Sequence, residues 1–123
     1  MARILVIDDE APLRTVLRRI LERAGHDVVD APDGGAGVER QITHRPHVVL
    51  TDIHMPGPDA RETIRALRRQ DPQVRIVVIS GDGTTGETLD DVANTLGADR
   101  GLAKPFEVEG VLRTVAELLD GTQ

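Results

Sequence analysis

The sequence predicts an α/β fold in which five strands alternate with five helices around a parallel sheet. Two observations carry that expectation. Short runs of Val, Ile and Leu recur along the chain, separated by segments whose apolar residues fall at helical spacing. Four of those runs also end in polar groups: Asp8-Asp9, Asp52, Ser80 and Lys104. In a parallel sheet the carboxyl ends of all strands open on one edge, which is where such folds place their sites.

Residues 3–8 form an apolar run suited to a strand buried on both faces. Pro12 follows, then Leu13, Val16, Leu17, Ile20, Leu21 and Ala24, a helical stripe stopped by Gly25. A second strand, residues 26–30, leads to Asp33, which can cap a helix through about Thr43. Gly34, Gly35 and Gly37 weaken that helix. Residues 48–52 give the third strand, and the loop Met55-Pro-Gly-Pro58 precedes a helix over about 60–69, ended by Asp71-Pro72. The fourth strand spans 75–79. A glycine-rich loop over 81–86 then enters a helix to about Leu96, closed by Gly97. The fifth strand covers about 99–103, and a last helix over 107–119 sets Val108, Val111, Leu112, Val115, Leu118 and Leu119 on one side. Five such units with short links are best met by a flavodoxin-like strand order, 2-1-3-4-5, with helices on both faces.

Composition narrows the function. A chain of 123 residues fits one domain, with no linker or repeat inside it, so residues 1–123 are expected to form a single domain with no second one. Without cysteine there is no disulfide, thiolate metal site or thiol nucleophile. The N-terminus lacks a signal-peptide layout and no apolar run could span a bilayer, so a cytoplasmic protein that does not engage a membrane is expected. A net charge of −6, from 21 acidic and 15 basic residues, disfavours direct nucleic-acid binding. With Phe106 the lone aromatic, stacking on bases is nearly excluded as well.

The candidate chemistry begins with three carboxylates. Asp8 and Asp9 end the first strand and Asp52 ends the third, its neighbour in that order. Their repulsion in a partly desolvated crevice calls for a cation or a proton. An all-oxygen ligand set favours Mg²⁺ over zinc or copper. Taken singly, Asp9 or Glu10 could merely cap the first helix, Asp52 could be a turn residue, and Lys104 and Ser80 could be a solvated lysine and a turn donor. Taken together they match a phosphoryl group on Asp52. An aspartate can accept phosphorus as a nucleophile. The Lys104 ammonium can hold one oxygen, and the Ser80 hydroxyl can donate to another.

Val6-Ile-Asp8-Asp9-Glu10, Val48-Val-Leu-Thr-Asp52-Ile-His-Met-Pro56-Gly57, Val78-Ile-Ser80-Gly81 and Lys104-Pro105-Phe106 closely resemble the receiver domain of bacterial two-component response regulators, the CheY-like family. The resemblance covers essentially the whole chain. It implies that Asp52 takes a phosphoryl group from a phosphohistidine on a sensor histidine kinase or histidine phosphotransfer protein. It further implies that Asp9, Asp52 and the main-chain carbonyl of His54 hold Mg²⁺, that Asp8 assists through water, and that Lys104-Pro105 is cis. The chain would then be a switch and not a classical enzyme, taking part only in its own phosphorylation and dephosphorylation.

Occupancy of Asp52 would pull on Ser80 and bias the face made by the fourth helix, fifth strand and fifth helix, which a downstream target or effector domain would read. Three residues before the lysine, where the family commonly carries Tyr or Phe, this chain has Gly101. No aromatic rotamer can report the switch there, or another side chain fills the space. His54 and Asp82 would flank the path of a hydrolytic water, with His54 exposed and contributing only its carbonyl. Pro58 should stiffen the entry to the third helix. A monomer, or a weak dimer formed on phosphorylation, is expected.

Three other readings compete. A flavodoxin-type module would not present Asp8-Asp9-Glu10 to a cofactor phosphate. An aspartyl phosphatase would carry Asp-x-Asp after the first strand and a cap. A degenerate receiver would act as a phosphorylation-independent interaction module; all five key residues are present, which ranks it behind the active form.

Overall fold

The computed structural model describes residues 2–54, 59–81 and 86–120. The expectations for Met55–Pro58 and for Asp82 and its glycine loop lie outside the described residues. The chain runs β1 (Arg3–Ile7), α1 (Ala11–Arg23), β2 (Asp27–Ala31), α2 (Gly34–His44), β3 (Val48–Asp52), α3 (Ala60–Gln70), β4 (Arg75–Ser80), α4 (Gly86–Leu96), β5 (Arg100–Ala103) and α5 (Val108–Leu119). The strands form one parallel sheet in the order β2-β1-β3-β4-β5, as the sequence predicts.

Both sheet faces are covered, which is why the strands read as nearly unbroken apolar runs. On one face Ile4, Val6, Leu50 and Ile79 pack against Leu17 and Leu21 of α1 and Val111 and Val115 of α5. On the other, Leu5, Ile7, Val49 and Val78 meet Ile64 and Leu67 of α3 and Leu89 and Ala93 of α4. With a single aromatic in the chain, this density is reached by interlocked aliphatics, each worth about 1.5–3 kcal/mol when fully buried.

Local signals set the ends. Asp33 and Asp59 cap α2 and α3, accepting from Ala36 N–H at 2.8 Å and Glu62 N–H at 2.9 Å, contacts worth about 1 kcal/mol each. Gly25 and Gly97, both at φ +94°, end α1 and α4 in a conformation that side chains disfavour.

Three details depart from expectation. His26 lies outside β2, because its N–H donates to Leu21 O at 3.1 Å to close α1 while its Nδ1 accepts from Ala2 N–H. Two of the three glycines expected to weaken α2 also serve packing: a Cβ on Gly34 would stand 2.3 Å from Thr63 Oγ1, and one on Gly37 2.3 Å from Ile7 Cδ1. At α5, Val108 and Leu119 are exposed, so the buried face is narrower than the stripe.

Candidate functional site

Strand register builds the site. Ile7 pairs with Thr51, so Asp8 and Asp52 follow at the same level of adjacent strands, while Asp52 pairs with Ile79 and Ser80 with Ala103. Lys104 N–H donates to Ser80 O at 2.8 Å, which brings the lysine to the same edge. Asp8, Asp52 and Ser80 are all buried. The Arg14 guanidinium of α1 donates to Asp8 O at 2.6 Å and to Asp30 at 3.1 Å, fixing the wall of the crevice from behind. The Lys104-Pro105 bond is cis.

Lys104 is the hub. Its Nζ lies 2.7 Å from Asp52 Oδ2, 3.4 Å from Asp8 Oδ2 and 3.6 Å from Glu10 Oε1. Burial works against the ammonium, but the hydrogen bond and charge of Asp52, then the charge of Asp8, outweigh it and hold the lysine above its usual pKa. The other Asp52 oxygen accepts from His54 N–H at 2.7 Å. Asp8 Oδ1 accepts from Glu10 N–H at 2.8 Å. Asp8 Oδ2, by contrast, is buried with no hydrogen-bond partner, and the 3.4 Å approach of Lys104 is an ion-pair distance without hydrogen-bond geometry.

That orphaned oxygen is the physical test for a cation. Asp8, Asp9, Glu10 and Asp52 each offer an oxygen within a 4.8 Å cluster, with Asp9 and Glu10 exposed at the mouth. The donors are all hard oxygens, the set that suits Mg²⁺ with retained waters. The capping role for Asp9 or Glu10 does not appear: Glu10 is the N-cap of α1 but makes no side-chain cap bond.

Burial raises the Asp8 carboxyl above its ordinary value of 3.8; the Glu10 N–H and Lys104 pull it back, and the Asp52 charge adds to the rise. The native state therefore holds the Asp8 proton more tightly than the unfolded chain. Its ionisation costs stability as pH rises through the native pKa, and the cost vanishes below 3.8. Asp8→Asn is accordingly expected to raise the Tm at neutral pH in EDTA, with the gain disappearing in acid. Mg²⁺ at about a hundredfold its Kd should stabilise the wild type by about 2.7 kcal/mol and Asp8→Asn by much less. Thermal melts with and without Mg²⁺ check both statements.

Sequence reasoning placed Asp8, Asp9, Asp52, Ser80 and Lys104 on one edge, and the structure brings them there. It underrated two neighbours. Glu10 joins the acidic cluster and approaches Lys104. His54 is exposed as expected, yet its ring does more than leave a carbonyl at the site: Nε2 lies 3.2 Å from Ser80 Oγ, linking the ends of β3 and β4. A histidine two residues past a strand-end carboxylate was the available signal.

Gly101 also has a definite surrounding. A Cβ there would fall 2.5 Å from Leu89 Cγ and 2.8 Å from Leu89 O, so α4 lies directly on the β5 backbone. The space that a side chain at this position would take is filled by Leu89.

Parallel βα units with an acidic crevice and an interior lysine on the carboxyl edge define a CheY-like α/β domain. Comparison with known proteins agrees. Residues 4–116 match the response regulator receiver domain family. The chain is 34% identical to the chemotaxis protein CheY of Bacillus subtilis over 96% of its own length and 98% of that protein's. It is 36% identical to protein PilH of Pseudomonas aeruginosa, covering 98% of this chain and 100% of PilH. Among solved structures, CheY4 of Vibrio cholerae superposes with a TM-score of 0.85 at 28% identity, covering 96% of this chain and 98% of CheY4. The chain belongs to the response regulator receiver family of two-component systems. Among the described residues no helix is long and apolar enough to cross a membrane.

Proposed function

We propose that this domain, spanning residues 1–123, is a phosphoacceptor of a cytoplasmic phosphorelay, with Asp52 as the residue modified. The observation that carries the reading is the Asp52 carboxylate, buried at the end of β3 with Lys104 Nζ 2.7 Å away and the unpartnered Asp8 oxygen beside it. A carboxylate oxygen of Asp52 forms the new bond to phosphorus. The P–N bond of a donor phosphohistidine breaks, and the imidazole leaves with that electron pair and takes up a proton. Asp9, Asp52 and the His54 carbonyl would hold Mg²⁺, with Asp8 assisting through water. When bound, the ion offsets the charge of the phosphoryl oxygens and carboxylates.

The chain's own groups do the rest. Lys104 exchanges its bond to Asp52 for a phosphoryl oxygen, whose negative charge takes over from the carboxylate in keeping the ammonium protonated. The Ser80 hydroxyl, within 3.2 Å of His54 Nε2, turns to donate to a second oxygen. Both moves draw on β4 and β5, which continue into α4 and α5. A downstream protein target or effector domain reads that displacement.

A sensor kinase or phosphotransfer protein must land on the rim of the crevice to deliver its histidine. An apolar groove of 480 Å³ adjoins the site there, lined by Pro12, Leu13, Val16 and Phe106, and Val16 is 48% exposed. Val16→Asp is expected to slow transfer from a phosphohistidine protein by about tenfold, a contact of about 1–2 kcal/mol. Phosphorylation by acetyl phosphate should be unchanged.

The reading is tested by the intact mass after incubation with acetyl phosphate. A gain of one phosphoryl group that requires Mg²⁺ supports it. No gain in folded, Mg²⁺-binding protein leaves a receiver that accepts only from its own phosphohistidine donor or a phosphorylation-independent interaction module, and no gain from a phosphohistidine protein either would sink the proposal.

A further inference from the structure

The junction between α4 and β5 carries a residue with no role in the chemistry above. β5 is one of the two edge strands of the sheet, and the Gly101 N–H donates to Asp90 Oδ1 at 2.7 Å. Asp90 lies one residue after Leu89, whose side chain and carbonyl press on Gly101. The helix is thus seated on bare strand backbone and held there by a charge-assisted hydrogen bond.

Two features say how such a junction can move. A Cβ on Gly101 would fall 2.5–2.9 Å from Leu89 atoms, so α4 is seated on β5 more closely than any other residue there would allow, and it is glycine that leaves the contact to be made and broken by the backbone itself. The far end of α4 is tied down: Arg68 of α3 donates to Gly97 O at 3.0 Å and to Asp99 Oδ2 at 2.9 Å, and Ala98 N–H donates to Ala93 O. Movement is therefore concentrated at the amino-terminal half of α4, which follows Ser80 in the chain.

We propose that Asp90 is a positioning residue of the switch. Its carboxylate holds α4 against Gly101 while Asp52 is a free carboxylate bound to Lys104, and phosphorylation of Asp52 is reported by release of that bond. This rests on Asp52 being the phosphoacceptor. The device replaces an aromatic side chain that turns with a helix that lifts, and it makes Gly101 a requirement of the mechanism. By linkage, the contact that resists opening also resists phosphorylation, so weakening it favours the modified state.

The test uses beryllium fluoride with Mg²⁺ as a stable phosphoryl mimic on the full chain, together with Asp90→Ala and Asp90→Asn. In the wild type the Gly101 amide should exchange slowly and accelerate by about tenfold on adding the mimic, the effect of losing one charge-assisted hydrogen bond. Asp90→Ala should show the fast exchange without the mimic and bind it about three- to tenfold more tightly. Asp90→Asn, which keeps an acceptor oxygen but loses the charge, should fall between Asp90→Ala and the wild type in both readouts. A residue that only stabilised the fold would lower the Tm without tightening the mimic. Unchanged or weaker binding by Asp90→Ala, or Gly101 exchange that ignores the mimic, overturns the proposal while leaving Asp52 as acceptor. A wild type that responds to neither beryllium fluoride nor acetyl phosphate overturns the phosphoacceptor reading and this proposal with it.

Discussion

Asp52→Asn is expected to reduce phosphorylation by acetyl phosphate to background while leaving the fold intact. The amide keeps the shape of the side chain and an oxygen to accept from His54 N–H, which lies 2.7 Å from Asp52 Oδ1, but it is no nucleophile toward phosphorus. The other carboxylates do not substitute. Asp8 is buried with one oxygen committed to Glu10 N–H, and Asp9 and Glu10 lie at the exposed mouth. Among the described carboxylates, Asp52 alone combines burial with the 2.7 Å lysine contact. The amide also turns an N–H₂ toward Lys104, so the lysine should shift to Asp8 and Glu10, 3.4 and 3.6 Å away. Time courses of intact mass, with denaturation curves of both proteins, check the result. Modification of the variant at the wild-type rate would refute the assignment.

Gly101→Ala is expected to destabilise the fold by about 1–3 kcal/mol, the usual cost of overpacking. The added methyl meets Leu89 Cγ at 2.5 Å and, less avoidably, the Leu89 carbonyl oxygen and carbon at 2.8 and 2.9 Å. Leu89 is fully buried and packs on the sheet with Ala93, so a helix displaced by the methyl gives up part of that packing. Leu89→Ala in the same chain should recover only part of the loss, because the backbone contact remains. The shift in denaturant midpoint across the two single variants and the double variant measures that coupling. A Gly101→Ala protein as stable as wild type would show that α4 does not sit where the geometry puts it.

Much of this architecture is written in short stretches. The strands of a doubly covered sheet must be apolar throughout, so β1, β3 and β4 stand out as Val/Ile/Leu runs, and the residues that end them must face the carboxyl edge. The Asp33 cap and the Gly25 and Gly97 stops are equally local, each needing only a few neighbouring residues. What escapes such reading depends on elements meeting across the chain. Glu10 enters the acidic cluster because α1 starts against the crevice. The His54 ring reaches Ser80 because β3 and β4 end side by side. Asp90 is one of several acids on an amphipathic helix, and nothing in its surroundings in the sequence singles it out. Gly101 carried a signal, since glycine inside a strand marks close approach of another backbone, but the partner that approaches is fixed only by the packing of α4. The bounds of β2 show the same limit: His26 reads as strand, yet its N–H is already spent on closing α1.

The measurement that bears most directly on the central claim is identification of the modified residue. After acetyl phosphate and Mg²⁺, reduction with borohydride converts an acyl phosphate of aspartate to homoserine, which peptide mass mapping locates. Homoserine at position 52 alone is the predicted result. Homoserine at position 8 or 9, or none in protein whose intact mass shows the phosphoryl group, would contradict the account.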